Sequence, residues 1–290
     1  MKVTFVINPV AGRKRRPVEQ IIRDCAGSDC EIRSWSAVEE IGQIVDVIGD
    51  DVVVVAAVGG DGTVHEVGKR LAGRKQALAV VPVGSGNGLA RHLGISLDPQ
   101  QAIEEIYECR IEPIDVGRID GDHFLGVCGV GFDATVAQRF AKAGTRGIET
   151  YVREGLFTYV SYEPERYEIT LDDESIETTA FLVAIANSGQ YGNEARIAPF
   201  ASLQDGVLDI AIVKSGSIVR APFFLYQLFT GKLRDSGDVL FRQSRTVRVE
   251  RQSAGPGHVD GEPVLLPATF ECSLDERALN VCVPHRTKAF

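Results

Sequence analysis

Apolar residues recur along this chain in two rhythms, and one gives way to the other near Ile111. Before it, uninterrupted β-branched runs alternate with stretches of helical period. Strands are expected at 2–7, 30–34, 51–58 and 77–83, and helices near 17–26, 37–48, 63–72, 86–93 and 99–108. The run from Val52 to Val58 has no alternating polar positions, which fits a parallel strand covered on both faces. Strand–helix alternation of this kind predicts an α/β domain over 1–112, built on a doubly wound parallel sheet. Beyond Ile111, 114–119 and 123–130 read as a hairpin about Asp120, Gly121 and Asp122. A helical insert from about 134 to 160, carrying Arg139, Lys142 and Arg146, is placed as a lid. Strands are then expected at 166–172, 176–187, 207–213, 245–251, 264–271 and 278–283. This second domain, 113–290, is expected to be a mainly antiparallel β-sandwich.

Composition narrows the class. A length of 290 residues exceeds what one core comfortably supports, and 44% hydrophobic with 24% charged residues is the balance of a soluble globular protein. No window approaches ~20 consecutive apolar residues. The opening MKVTFVINPVAG is too short and too soon interrupted for a secretory signal. Cys25, Cys30, Cys109, Cys128, Cys272 and Cys282 form no C-x-x-C pair, so reduced core thiols in a cytoplasmic protein are expected, with a Cys25–Cys30 disulfide as the lesser alternative.

A net charge of -9 opposes general binding to nucleic acid, and also adsorption to an acidic membrane unless positive charge is gathered locally. Between Arg220 and Arg251, the basic residues Arg220, Lys232, Arg234, Arg242, Arg245, Arg248 and Arg251 outnumber Asp235, Asp238 and Glu250. Beside them lies the apolar stretch PFFLYQLF, 222–229. Two readings stay open: transient contact with a bilayer surface, or Phe223, Leu225 and Leu228 filling a core while the arginines are solvated.

The candidate chemistry sits in three loops, each leaving the carboxyl end of an expected strand. Gly59, Gly60 and Gly62 let backbone approach an anion, and Thr63 is placed to cap the following helix, whose free N–H groups favour phosphate. Asp61 beside phosphates is repulsive unless a cation lies between, which argues for Mg²⁺ with a polyphosphate. The second loop holds Asn8, Pro9 and Gly12, with a basic run from Arg13 to Arg16. In the third, Gly84, Gly86 and Gly88 flank Ser85 and Asn87. In a doubly wound sheet such ends line one crevice. There is no G-x-x-x-x-G-K-[ST]. A G-x-G-x-x-A at Gly129, Gly131 and Ala134, with Glu154 following, is discounted as a dinucleotide fingerprint, because 149–160 reads as helical where a second strand is needed.

In this order, NPVAG (Asn8–Gly12), GGDGT (Gly59–Thr63) and PVGSGNGLAR (Pro82–Arg91) resemble the diacylglycerol kinase catalytic domain family, which includes bacterial soluble lipid kinases and the sphingosine and ceramide kinases. The resemblance continues through DVG at Asp115, GFDA at Gly131, DGVLD at Asp205 and DGE at Asp260, and so covers nearly the whole chain. GGDGT alone is shared with NAD kinases and phosphofructokinases. The resemblance implies a fold of the NAD kinase and diacylglycerol kinase type and an ATP- and Mg²⁺-dependent lipid kinase, a transferase at the heart of lipid metabolism. The acceptor that the resemblance implies is diacylglycerol, a sphingoid base or another long-chain alcohol. An NAD kinase-like enzyme or a catalytically weak lipid-binding regulatory protein is the alternative.

The family's site residues carry over by motif. Candidate nucleotide contacts are Asn8, Pro9, Gly12, Ser34, Gly59, Gly60, Asp61, Gly62, Thr63, Glu66, Gly84, Ser85 and Asn87, with Asp61 in the Mg²⁺ network. Glu262 matches the general base that deprotonates the lipid hydroxyl. Asp205, with the carbonyls of Ser202 and Val207, matches a structural Mg²⁺ site, and Asp133 is a candidate for the acceptor. His65 and Ser85 replace the family's usual asparagine and threonine; the serine keeps the hydroxyl. The implied setting is cytoplasmic, peripheral at the inner membrane face, with a homodimer left open.

Overall fold

The computed structural model describes residues 1–8, 18–26, 30–35, 37, 39–142, 158, 162–214, 221–287 and 290. Two compact units emerge: Met1–Val116 with Glu276–Phe290, and Gly117–Asp275. The division expected between 112 and 113 differs from this in one respect that matters: the chain leaves the first unit at Val116 and returns to it at Glu276.

The first unit alternates strand and helix. Its elements are β1 (Val3–Ile7), α1 (Val18–Ala26), β2 (Cys30–Ser34), α2 (Glu39–Asp46), β3 (Val54–Gly59), α3 (Asp61–Leu71), β4 (Ala77–Pro82), α4 (Gly88–His92) and α5 (Pro99–Glu108). The strands are parallel in the order β2-β1-β3-β4, and Asn280 and Val281 add a further parallel partner beside β4. Every residue of β1, β3 and β4 is buried, so both faces of the sheet are covered, as continuous apolar runs require. One face packs Phe5, Val54 and Ala56 against Ile22 of α1 and Ile103 and Ile106 of α5. Asp98 caps α5 by accepting from the Gln100 and Gln101 amides, with Pro99 opening the helix. The tail is tied down within this unit: Arg286 donates to Glu105 and to the Gly94 carbonyl, Arg110 donates to the Thr287 carbonyl, and Phe290 is buried.

The second unit is antiparallel: β5 (Arg110–Ile119) enters it, followed by β6 (Asp122–Phe124), β7 (Val127–Gly131), α6 (Phe132–Lys142), β8 (Glu165–Thr170), β9 (Ser175–Ala186), β10 (Leu208–Lys214), α7 (Ala221–Thr230), β11 (Val239–Ser244), β12 (Val247–Arg251), β13 (Gly255–Val259), β14 (Glu262–Leu266) and β15 (Thr269–Val283). Its strands run β14-β13-β7-β9-β8-β12-β15, with β10 between β9 and β11. Alternation sends Cys128, Val130, Val183, Ile185 and Ile210 to one apolar cluster and Val127, Leu182, Ala184 and Ala211 to another. The sandwich expected from the pattern is thus built from two cores.

Several expected elements differ. The hairpin about Asp120 and Gly121 joins β5 to the short β6 only, while β7 pairs with β9 and β13. The strands expected at 264–271 and 278–283 are instead β14 and one continuous β15, which keeps the charged run Asp275–Arg277 inside a strand. β11 and β13 were not expected; Gly255-Pro256-Gly257 in β13 has the composition of a turn. The lid expected over 134–160 lies largely outside the described residues, which include its first helix, α6.

Candidate functional site

In the first unit the strand registers bring the loops to one edge. Ile7 aligns with Ser34 and Val58, and Gly59 aligns with Pro82, so the chain leaves β1, β2, β3 and β4 at the same carboxyl end. The order β2-β1-β3-β4 reverses direction between β1 and β3, and a crevice outside a doubly wound sheet forms at such a switch point. Asn8 stands there, its amide donating to the Val58 carbonyl at 3.0 Å. Ser34 is exposed beside it. Pro9, Gly12 and the basic run from Arg13 to Arg16 lie outside the described residues.

The two remaining loops touch. A Cβ on Gly84 would stand 2.5 Å from Gly60 Cα, so only glycine permits this approach. Asp61 locks the contact: Oδ2 accepts the Asn87 amide at 2.9 Å and Oδ1 the Gly88 amide at 2.6 Å. Asn87 holds a left-handed conformation, φ 53°, and its side-chain amide donates to the Gly84 carbonyl. Gly84 and Ser85 are exposed, leaving that loop open to a ligand.

This geometry revises the residue roles. Helix α3 begins at Asp61 with Gly60 as N-cap, and its cap makes no side-chain hydrogen bond; Thr63 lies inside the first turn and is buried. Gly62 follows Asp61 in that turn, and Glu66, one turn on, pairs with Lys69 at 2.7 Å. His65 is buried, with Nε2 4.0 Å from Glu66 Oε1. Asp61 is therefore an interloop brace. Each carboxylate oxygen accepts one amide and keeps a further lone pair for another partner.

In the second unit, Asp260 and Gly261 form the turn between β13 and β14, both with positive φ. The Asp260 carboxylate accepts three consecutive amides, from Leu125 at 2.8 Å, Gly126 at 2.7 Å and Val127 at 3.1 Å. The first acid of DGE thus fixes the hairpin, and the second, Glu262, is exposed at the start of β14. The chemistry of DGE is divided between an anchor and a free carboxylate.

Asp133, expected to meet an acceptor, is buried at the start of α6. Its Oδ2 accepts from the Tyr191 hydroxyl at 2.6 Å and lies 3.0 Å from His258 Nε2, and its Oδ1 accepts the Ala134 amide. Sequence reading missed Tyr191 and His258; the one available signal was a histidine two residues before DGE. Gly129 and Gly131 of the discounted fingerprint serve strand packing: a Cβ at Gly129 would lie 2.6 Å from the Val183 carbonyl oxygen.

Ser202, Asp205 and Val207 share the turn entering β10. Asp205 Oδ1 accepts the Val207 amide, and the Gln204 amide donates to Ser202 Oγ. Nearby Asp209 has a buried Oδ2 without a hydrogen-bond partner, and burial, reinforced by the charge of Asp205, pushes its carboxyl up to about 6. Asp205 and Asp209 are the two acids of this turn and the strand it enters, and the orphaned Asp209 Oδ2 is the one buried side-chain oxygen there that lacks a donor. Among the described residues, no cluster of three or more His, Cys, Asp or Glu side chains is placed to hold a metal.

The basic run after α7 is largely committed. Arg251 is buried and donates to the Gly255, Pro256 and Leu266 carbonyls, Arg248 pairs with Glu250 and Glu271, and Arg242 pairs with Glu174. On α7, Leu228 packs toward the core, as one of the two readings had it, but Phe223 and Leu225 face solvent, since Phe224 occupies the inward position. All six cysteines are free, including Cys25 and Cys30.

A parallel nucleotide-type sheet with braced glycine loops, together with an antiparallel unit bearing DGE, defines a kinase fold. Residues 2–119 match the diacylglycerol kinase catalytic domain, and 126–283 match the YegS C-terminal NAD kinase beta sandwich-like domain. The chain belongs to the diacylglycerol kinase catalytic domain family. It is 30% identical to a probable lipid kinase YegS-like of Chromohalobacter salexigens over 79% of this chain and 76% of the relative. It is 30% identical to a diacylglycerol kinase of Mycobacterium tuberculosis over 81% and 78%. A crystal structure of a putative diacylglycerol kinase from Bacillus anthracis superposes with a TM-score of 0.83 at 23% identity, covering 99% of this chain and 98% of that one, a likeness of fold.

Proposed function

We propose that the protein is an ATP- and Mg²⁺-dependent lipid kinase that transfers the γ-phosphoryl group to the hydroxyl of diacylglycerol, a sphingoid base or another long-chain alcohol. The observation carrying this reading is the Asp61 brace, which holds two glycine loops in backbone contact at the carboxyl edge of the sheet. Amides and small residues gathered there suit the phosphates of a nucleotide. Glu262 is the exposed carboxylate that takes the proton from the attacking hydroxyl, and Asp260 positions it by anchoring the turn. Mg²⁺ arriving with ATP supplies neutralisation of the phosphoryl oxygens. The names of the lipid kinase and diacylglycerol kinase relatives support the acceptor class.

An NAD kinase-like activity is disfavoured by the family match over 2–119, and a purely lipid-binding role by the presence of both Asp61 and Glu262. Incubation with Mg-ATP and separate diacylglycerol, sphinganine, ceramide and NAD, followed by detection of the phosphorylated product, tests the reading. A phospholipid or sphingolipid phosphate supports it; product from NAD alone overturns it.

A further inference from the structure

A kinase whose acceptor is a lipid must reach a bilayer, and among the described residues no helix is long and apolar enough to cross one. Helix α7, APFFLYQLFT, contains no charged residue and has no fully buried one. Phe224 and Leu228 pack against the core of the second unit. The rest of the helix presents Phe223, Leu225, Tyr226 and Phe229 to solvent at 63%, 47%, 54% and 44% exposure. A helix on a water-facing surface ordinarily turns polar residues outward, so this face is the reverse of what water alone would select.

Cations border the same helix. Lys232 Nζ lies 5.6 Å from the Tyr226 ring centroid and within 3.4 Å of its hydroxyl, and exposed Arg234 follows. The Arg196 amide donates to the Leu228 carbonyl at 2.9 Å, and its exposed side chain passes Gly231. The loop bearing Arg196 also exposes Phe200 at 69%. Glu194, Asp235 and Asp238 are the acids near them in sequence; Asp235 accepts the Phe241 amide and lies 3.8 Å from Arg242. In a chain of net charge -9, three cations against three acids leave the border of this aromatic helix near neutrality, less repulsive to an anionic surface than the chain as a whole.

We propose that α7 docks the protein on anionic bilayers. Phe223, Leu225, Tyr226 and Phe229 enter the boundary between headgroups and acyl chains, while Arg196, Lys232 and Arg234 meet lipid phosphates. This rests on the lipid-kinase reading for its purpose and on α7 for its geometry, and the experiment separates the two. The full chain is sedimented with vesicles of phosphatidylcholine, with and without phosphatidylglycerol, and is assayed on a short-chain, water-soluble diacylglycerol. The wild type binds the anionic vesicles. The double variant Phe223→Gln with Phe229→Gln loses at least about tenfold in affinity, equivalent to about 1.4 kcal/mol, while keeping wild-type melting and short-chain turnover. Lys232→Glu weakens binding only where phosphatidylglycerol is present. As an independent readout, Phe229→Trp shifts its emission to the blue on anionic vesicles, against the signal of buried Trp35. Unchanged vesicle binding in the double variant, no shift from Phe229→Trp, or loss of a dimer in light scattering with vesicle binding intact overturns the proposal. Absence of any lipid product with docking preserved instead counts against the kinase reading.

Discussion

Asp61 Oδ1 accepts the Gly88 amide at 2.6 Å, so a carboxylate at the head of one glycine loop holds the entry to the next helix. Both backbone segments are shaped for close approach, and the acid removes the freedom that the glycines supply. Substituting Asp61 with alanine orphans the Asn87 and Gly88 amides, at about 1.5–3 kcal/mol for a bond to a charged acceptor. The melting temperature should fall and phosphoryl transfer should be largely lost. Asp61→Asn keeps one acceptor oxygen and should be intermediate in stability. Calorimetry with an ATP titration checks this, and wild-type ATP affinity and turnover in the alanine variant would contradict it.

Glu262→Gln keeps shape and hydrogen-bonding reach but loses proton affinity. As the base, it should lower kcat by roughly 10² to 10⁴ with ATP affinity little changed. Single-turnover transfer alongside ATP binding distinguishes this from a nucleotide-positioning role, which would weaken ATP binding at near-normal kcat.

Asp260→Ala strips the acceptor from three amides at once, those of Leu125, Gly126 and Val127. A loss on the order of 3 kcal/mol is expected in urea unfolding. Asp260→Asn should fall between this and the wild type, and both should reduce turnover by releasing the turn that carries Glu262.

The Asp172 side chain joins two turns by accepting from Thr246 Oγ1 and from the Arg245 and Thr246 amides. The Thr246 hydroxyl bond, then the Arg245 amide, lowers its pKa below the ordinary 3.8. A depressed folded-state pKa contributes stability above the unfolded value and loses it as pH falls through the folded one. Asp172→Asn should therefore flatten part of the acid limb of the stability curve below about pH 4. Melting temperatures measured across that range test the point, and identical slopes in the two proteins would refute it.

If Mg²⁺ occupies the turn of Ser202, Asp205 and Val207, binding to the folded state raises the melting temperature with ion concentration. Asp205→Ala should abolish that dependence. Equal Mg²⁺ dependence in wild type and variant would place the ion elsewhere.

The sheet of the first unit was legible because β1, β3 and β4 are buried, largely apolar runs, and α5 was read to its residue limits from Pro99 to Glu108. The braces were not legible. Nothing local in GGDGT says that Asp61 meets amides 26 and 27 positions away, since that contact depends on strands β3 and β4 lying side by side. The same holds for Asp133 and His258, 125 positions apart and brought together by the pairing of β13 with β7. β13 itself hid behind glycine and proline, which local propensity assigns to turns. The outward face of α7 was illegible for a different reason: helical period identifies two faces, but when both are apolar it cannot choose between them.

The return of Glu276–Phe290 makes the first unit discontinuous in sequence. The strand beside β4 and the segment that binds Leu93, Gly94 and Glu105 follow β1 to β4 only after the whole second unit has been made. The antiparallel unit, Gly117–Asp275, has all its residues available earlier and can close while the earlier sheet still lacks its edge. The sheet that carries the glycine loops is therefore completed beside β4 by residues that follow the whole second unit in the chain, so a cut or insertion between the units would separate β4 from its neighbour.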